Sequence, residues 1–242
     1  LTFSRPVITV ILERIPQTIL LVGSALSISI LLGILSGIAC AKKPYSLTDD
    51  FISATTLTLF SIPVFWLGLL MIMGLALWLP LFPTGGLFDV GVETSLPGMI
   101  VNVGWHLVLP ALTLSAFFLA TYSRLTRAGL LEALDMNYII QARAKGVNER
   151  NVLYHHALKN ALLPIVTVAG IHIGLIVGGV VLTESVYSWP GIGSLLVMAV
   201  SYRDYPLVTG IFLMTAVSVA ISNLAADIVC AMVDPRIRTG AA

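Results

Sequence analysis

Gln17–Ala41 reads QTILLVGSALSISILLGILSGIACA, 25 residues without one charge. A helix needs about 20 apolar residues to cross the hydrocarbon core of a bilayer. Four more stretches are comparable: 51–79, 106–126, 161–183 and 207–232, the last carrying a single acid, Asp227. The 242-residue chain is 57% hydrophobic and 10% charged, with mean hydropathy +0.98. Soluble domains carry about 25% charged residues, so these stretches cannot all be covered in water. In lipid, helices satisfy every backbone group within the segment, and the runs are too continuous for barrel strands. The expectation is an all-α integral membrane protein with five spans, forming one membrane domain over 1–242.

Lysine and arginine set the expected orientation. Segments 42–50, 124–160 and 233–242 hold ten of them; 1–16, 80–105 and 184–206 hold three. The positive-inside rule places the first set, including the C-terminus, in the cytoplasm. Leu1 then starts outside, which points to a helix preceding the sequence given. Within 187–206, a turn at Pro190-Gly191 precedes about ten apolar residues, too few to span, so a re-entrant or interfacial helix is expected there.

Several chemistries are excluded by pattern. Net charge is +1, which gives no field for nucleic acid. There is no Gly-Lys pair and hence no P-loop, no HExxH and no GxSxG. Cys40 and Cys230 sit in apolar stretches and read as small buried residues. No catalytic, cofactor-binding or metal-binding set is expected on this chain. Pro63 must kink or break the second span, and a broken helix is tolerated where protein or a cavity satisfies its backbone. Ser61, Pro63 and Trp66 are therefore pathway candidates beside a plain packing reading. Intramembrane polar residues are candidates by default. His172 reads either as a pathway residue or as an interhelical hydrogen bond. Glu184 stands at the outer end of the fourth span, and Asp227 reads either as a neutralised acid or as a passage residue. Small residues every four positions (Ala25, Ser29, Gly33, Gly37, Ala41; Gly170, Gly174, Gly178) allow close helix approach, within the chain or at a subunit interface.

The longest polar run is Gln141–Pro164, QARAKGVNERNVLYHHALKNALLP. Gly146 suits a left-handed helix end, and Asn148 can cap a second short helix over Glu149–Leu158. Val152, Leu153, Tyr154, Ala157 and Leu158 give that helix an apolar surface. It reads as a knob for a soluble partner's groove, or as a solvated connection.

This loop resembles the EAA motif of bacterial ABC importer permeases: Gln141–Gly146 matches its first half and His156–Leu162 its second. More closely, the chain is similar to the first permease subunit of dipeptide, oligopeptide and nickel importers. Ser61–Trp66, Leu109–Leu112, Ala142–Gly146, Ser188–Gly193, Arg203–Pro206 and Asp234–Arg238 carry that likeness in order along the chain. The motif's glutamate is absent, Ile140 and Gln141 standing there, and Lys159 replaces a frequent proline. The resemblance implies a type I ABC importer-like transmembrane domain with six spans, the first preceding Leu1. It also implies a multi-pass protein of the bacterial inner membrane, acting as half of an alternating-access pathway for short peptides, with nickel or a metal complex as the alternative cargo. Implied partners are a second permease subunit, two ATPase subunits that hold ATP and Mg, an extracytoplasmic substrate-binding protein and membrane lipid. The loop 127–160 would couple to the ATPase through Ala142, Arg143, Ala144, Lys145, Gly146, Asn148, Glu149, Arg150, Val152, Leu153, Tyr154 and His156. A passive channel or a membrane scaffold is the reading from another class.

Overall fold

The structure, a computed structural model, describes residues 5–89, 91 and 95–233, with the side chains of 163, 173–179, 226, 227 and 229–233 outside that description. The described residues contain helices and no strand. Their order is α1 (Val7–Leu12), α2 (Ile15–Lys42), α3 (Leu47–Ser61), α4 (Val64–Met71) running into a π-helical turn Ile72–Trp78, and α5 (Leu96–Leu134). Then come α6 (Asn137–Ala144), α7 (Glu149–Asn151), a π-helical segment Val152–Ala157, α8 (Leu158–Ala161), α9 (Leu163–Gly179), α10 (Val181–Val186), α11 (Ile192–Ser201) and α12 (Tyr205–Val233).

Three stretches are long and apolar enough to cross a membrane: Val7–Lys42, Leu96–Leu134 and Tyr205–Ala225. The count is four if the broken pair α3 and α4 is one span. The break falls where Pro63 requires it, since proline has no N–H to continue the ladder. The expected fourth span lies on the 17-residue α9 and on α10. The third span is much longer than its expected 106–126. Pro97 at the start of α5 needs no intrahelical donor, and Pro110 is absorbed inside the helix, so the helix takes in part of the loop expected at 80–105. The short apolar helix expected after Pro190-Gly191 is α11.

The chain packs as two compact units. One is drawn from Leu1–Ile28, Ile62–Phe117 and Gly174–Ile221, the other from Ser29–Ser61, Phe118–Ile173 and Ser222–Ala242.

In the first unit, α1 lies against α11 and the start of α12. Val10, Ile11, Ile192, Leu195, Ala199, Leu207 and Ile211 form its core. Gly210 permits the approach, because a methyl there would stand 2.6 Å from Val7 Cγ1. A second cluster centres on Tyr187, buried among Ala76 and Leu109. Its hydroxyl shares a 2.7 Å hydrogen bond with Thr113 and donates to the Gly68 carbonyl at 3.2 Å. The Tyr187 carbonyl accepts from the Gly86 N–H at 2.8 Å, which pins the loop after the π-turn.

In the second unit, Gly33 and Gly37 of α2 back directly onto Tyr122, Ser123 and Thr126 of α5, leaving no room for a Cβ. Ser36 and Ser123 are bonded at 3.0 Å beside this seam. Intramolecular packing thus accounts for this part of the small-residue stripe; Gly174 and Gly178 lie among the residues whose surroundings are not described. Arg127 grips Asp49 with two bonds of 2.8 and 2.7 Å, tying α5 to the start of α3. The Asp49 side chain is nearly buried, at 4% exposure, and that of Arg127 is 26% exposed.

Candidate functional site

The polar loop is built on an apolar floor. Ile139, Ala142, Val152, Ala157 and Ala161 bury themselves against Ile38 and Ala41 of α2 and Leu130 and Ala133 of α5. The first turn is closed by the geometry of its backbone. Gly146 has φ +78°, its N–H donates to the Arg143 carbonyl at 2.9 Å, and the Val147 N–H donates to the Ala142 carbonyl at 3.2 Å. These two bonds satisfy carbonyls that the end of α6 would otherwise leave free, and Val147 packs back onto the floor.

The next helix begins as the sequence requires. The Asn148 side-chain oxygen accepts from the Arg150 N–H at 3.0 Å, capping α7. The α-helix expected over Glu149–Leu158 is nevertheless interrupted, because Val152–Ala157 is π-helical. Residues five apart on an α-helix point about 140° away from each other. Hydrogen bonding from i to i+5 brings them nearly over one another. The π-geometry therefore lets Val152 and Ala157, both fully buried, face the same floor.

Three polar pairs brace the outside. Arg143 donates to both Glu149 oxygens, at 2.8 and 3.2 Å, across the turn at Gly146. The Glu149 carboxylate raises the Arg143 pKa further above its usual value through that hydrogen bond. Lys42, the last residue of α2, donates to the Tyr154 hydroxyl at 3.0 Å. That bond lowers the Tyr154 pKa from the ordinary phenol value. Asn160 donates to the Tyr138 hydroxyl at 2.7 Å and links the two ends of the loop.

Of the coupling residues expected from sequence, Ala142 and Val152 are buried and Leu153 is half-buried. They hold the loop in place. Arg143, Ala144, Lys145, Gly146, Asn148, Glu149, Arg150, Tyr154 and His156 are exposed.

The pathway candidates fall on several different helices. Ser61 ends α3, and its hydroxyl donates to the Leu57 carbonyl at 2.8 Å. Pro63 and Trp66 open α4, with Trp66 48% exposed. His172 belongs to the second unit, where Nδ1 meets the Tyr122 hydroxyl at 2.9 Å and the ring lies 4.6 Å from that of Phe118. The side chain of Asp227 lies outside the described residues.

Glu184 requires a correction: it is fully enclosed. Its Oε1 accepts from the Thr18 hydroxyl at 2.7 Å and its Oε2 from the Ser194 N–H at 3.0 Å. The Thr18 oxygen also accepts from the Ile192 N–H at 2.9 Å, and the Trp189 indole donates to the Gln17 carbonyl at 2.9 Å. This acid locks the turn between α10 and α11 onto α2. Thr18 gives no sequence signal, since a lone threonine in an apolar run is ordinary. The Asp49–Arg127 pair, 78 residues apart, is equally silent in the sequence.

Among the described residues no group of three His, Cys, Asp or Glu side chains could hold a metal ion. The arrangement supplies a braced polar projection whose apolar side is sealed by two long helices.

The profile of the family described as "Binding-protein-dependent transport system inner membrane component" matches residues 29–239. The chain belongs to this family. It is similar to the oligopeptide transport system permease protein AppB of Bacillus subtilis, 41% identical over 232 residues, covering 96% of this chain and 72% of that protein. It is similar to the di/tripeptide transport system permease protein DppB of Pseudomonas aeruginosa, 37% identical over 241 residues, covering 94% of this chain and 72% of that protein. Among solved structures, a chain of the inward-facing MetNI methionine ABC transporter superposes with a TM-score of 0.71 at 18% identity, covering 96% of this chain and 99% of that one. The fold is thus that of an ABC importer transmembrane domain, and the chain is a multi-pass permease-family membrane protein.

Proposed function

We propose that this chain is the permease subunit of an ATP-driven importer of short peptides. It would form half of the transmembrane pathway, beside a second permease subunit. Two ATPase subunits would hold ATP and Mg and do the hydrolysis, and an extracytoplasmic binding protein would deliver the cargo. The C-terminus and the 124–160 segment face the cytoplasm, as their lysines and arginines favour.

The observation that carries this reading is the braced loop. Its apolar residues are committed to α2 and α5, so a push on its exposed residues moves those helices rather than the loop alone. ATPase closure acting on Gly146–His156 would shift the spans between two states, to the extent that the ATPase binds one state better. Peptide is favoured over nickel as cargo because the Bacillus and Pseudomonas relatives are both named for peptides.

The test is uptake in cells lacking the whole transporter, complemented with the full gene set. Labelled dipeptide and radioactive nickel run side by side, with and without an ATPase-dead partner. Peptide uptake that stops with the ATPase supports the reading. Nickel uptake under the same control moves the cargo to metal. Flux that persists without ATPase activity points to a passive channel, and no flux in any arm to a scaffold.

A further inference from the structure

His106 is enclosed, with its side chain 3% exposed. Its Nδ1 lies 3.0 Å from the Asn102 carbonyl, one turn back along α5. A carbonyl oxygen only accepts, so Nδ1 carries a proton. In the neutral ring Nε2 is then a bare acceptor. It faces Asp89 Oδ1 at 3.6 Å, acceptor against acceptor and too far for a hydrogen bond. Asn102 fixes this geometry from the other side. Its Oδ1 accepts from the Asp89 N–H at 3.0 Å, and its Nδ2 donates to Asp89 Oδ2 at 2.9 Å. That leaves Asp89 Oδ1 as the carboxylate oxygen turned to the ring.

Asp89 stands at the end of the irregular segment 79–89, whose other ties carry no charge. The Leu81 N–H donates to the Leu75 carbonyl at 2.8 Å, the Gly86 N–H to the Tyr187 carbonyl at 2.8 Å, and the Phe82 ring lies 4.6 Å from that of Trp105. Segment 64–78 has no titratable residue, and 79–89 has Asp89 alone. Tyr187, packed with Leu109 of α5, spends its hydroxyl on Thr113 and Gly68. Glu93 lies outside the described residues. Histidine is the side chain whose charge changes between about pH 5 and pH 8. A proton added at Nε2 turns that acceptor into a donor aimed at Asp89, so repulsion becomes an ion pair. The ring is out of water, which strengthens the pair, and the Asp89 side chain, 58% exposed, opens the site to solvent protons.

We propose that His106 and Asp89 form a latch set by acidity, closed when Nε2–H donates to Asp89 Oδ1 and open when the ring is neutral. Closed, it fastens the end of 79–89 to α5; open, Asn102 holds Asp89 without it. The latch depends on neither the cargo nor the ATPase. In the orientation proposed above, 79–89 lies outside, so the acidity of the surroundings rather than of the cytoplasm sets it.

The test is hydrogen–deuterium exchange of the purified complex in lipid nanodiscs at about pH 5 and about pH 8. Exchange at the Asp89 N–H is expressed as protection relative to an unstructured amide at each pH, which removes the acidity dependence of exchange itself. In the wild type, protection at Asp89 should be about fivefold greater in acid, the effect of one ion pair. The Gly86 N–H, bonded to a backbone carbonyl, is the reference within the same segment. H106Q has no ring to protonate and D89N has no charge to meet it, so both should bring the ratio at Asp89 close to that at Gly86. D89N alters a half-exposed side chain and keeps the backbone bond to Asn102, so it remains informative if H106Q fails to fold. A ratio at Asp89 no greater than at Gly86 in the wild type overturns the latch. So does a ratio that D89N leaves unchanged, since a purely structural contact would behave that way. Peptide uptake is not read here, so failure of the latch and failure of the transport reading are separable.

Discussion

Substituting Gly191 by alanine isolates the Glu184 lock. Gly191 is extended, with φ −99° and ψ −170°, which any residue adopts, so backbone strain contributes nothing. A methyl there would overlap the Glu184 carboxylate itself. The carboxylate must leave, and it gives up the hydrogen bonds from Thr18 and from the Ser194 N–H. Bonds to a charged acceptor contribute about 1.5–3 kcal/mol each, so the cost is about 3–6 kcal/mol. For a chain of this size, about 2–4 °C of Tm accompanies each kcal/mol, so Tm should fall by about 6–24 °C. Two other glycines calibrate the result. A methyl at Gly86 meets open space but a φ of +87°, which costs about 1 kcal/mol. A methyl at Gly23 meets open space inside a helix and should stabilise by about 0.5–1 kcal/mol. The assay is thermal unfolding of the purified complex, monitored by tryptophan fluorescence. The order Gly23→Ala above wild type, then Gly86→Ala, then Gly191→Ala is expected. Gly191→Ala should also be strongly non-additive with Glu184→Ala, because the truncated side chain vacates the space the methyl needs. A Gly191→Ala protein with unchanged Tm, or full additivity with Glu184→Ala, would refute the lock.

The same kinds of contact set other outcomes. Asp49→Ala should cost about 2–3 kcal/mol by urea or thermal unfolding, less than the 3–5 kcal/mol of a wholly buried pair because Arg127 keeps a quarter of its side-chain surface; Asp49→Ala with Arg127→Met should recover part of it. Asn148→Ala should cost about 1 kcal/mol through loss of the cap and speed amide exchange at Arg150, as read by hydrogen–deuterium exchange. Arg143→Glu should leave Tm unchanged, since the pair with Glu149 is exposed, yet separate ATP hydrolysis from uptake in proteoliposomes; the swap with Glu149→Arg should restore coupling. Gly146→Pro should uncouple likewise, because proline cannot adopt φ +78° and has no N–H for the Arg143 carbonyl.

What was legible in the sequence was local. Pro63 breaks a helix by its own covalent geometry, Gly146 takes a left-handed φ because it lacks a Cβ, and Asn148 caps because its side chain reaches the N–H two residues on. Each depends on neighbours within a turn. Uncharged runs gave the helices, but not their ends: α5 gained residues at both ends, at its start because Pro97 fits the first helical turn, where its missing N–H costs nothing. Contacts between distant segments were not legible. Thr18 and Glu184 are 166 positions apart, and nothing in either stretch marks the other as its partner. Glu184 therefore looked like a charge free for a pathway, when its oxygens are already taken. The π-helical segment was hidden for a different reason: Val152 and Ala157 are five apart, which reads as two faces of an α-helix until the floor that both must reach is seen.

That wide turn has a consequence for how the loop can change over generations. Val152 and Ala157 are sealed on one side, and between them lie Leu153, Tyr154, His155 and His156. Removing one of the three exposed members would leave the anchors four apart, a spacing at which an ordinary α-helix already points both the same way. The floor would be filled as before, and α8 would start in the same phase. The segment is thus a helix with one residue to spare, able to shorten its outward surface by a codon without disturbing what lies beneath. A shift of contact surface towards a new ATPase could begin there with a single deletion.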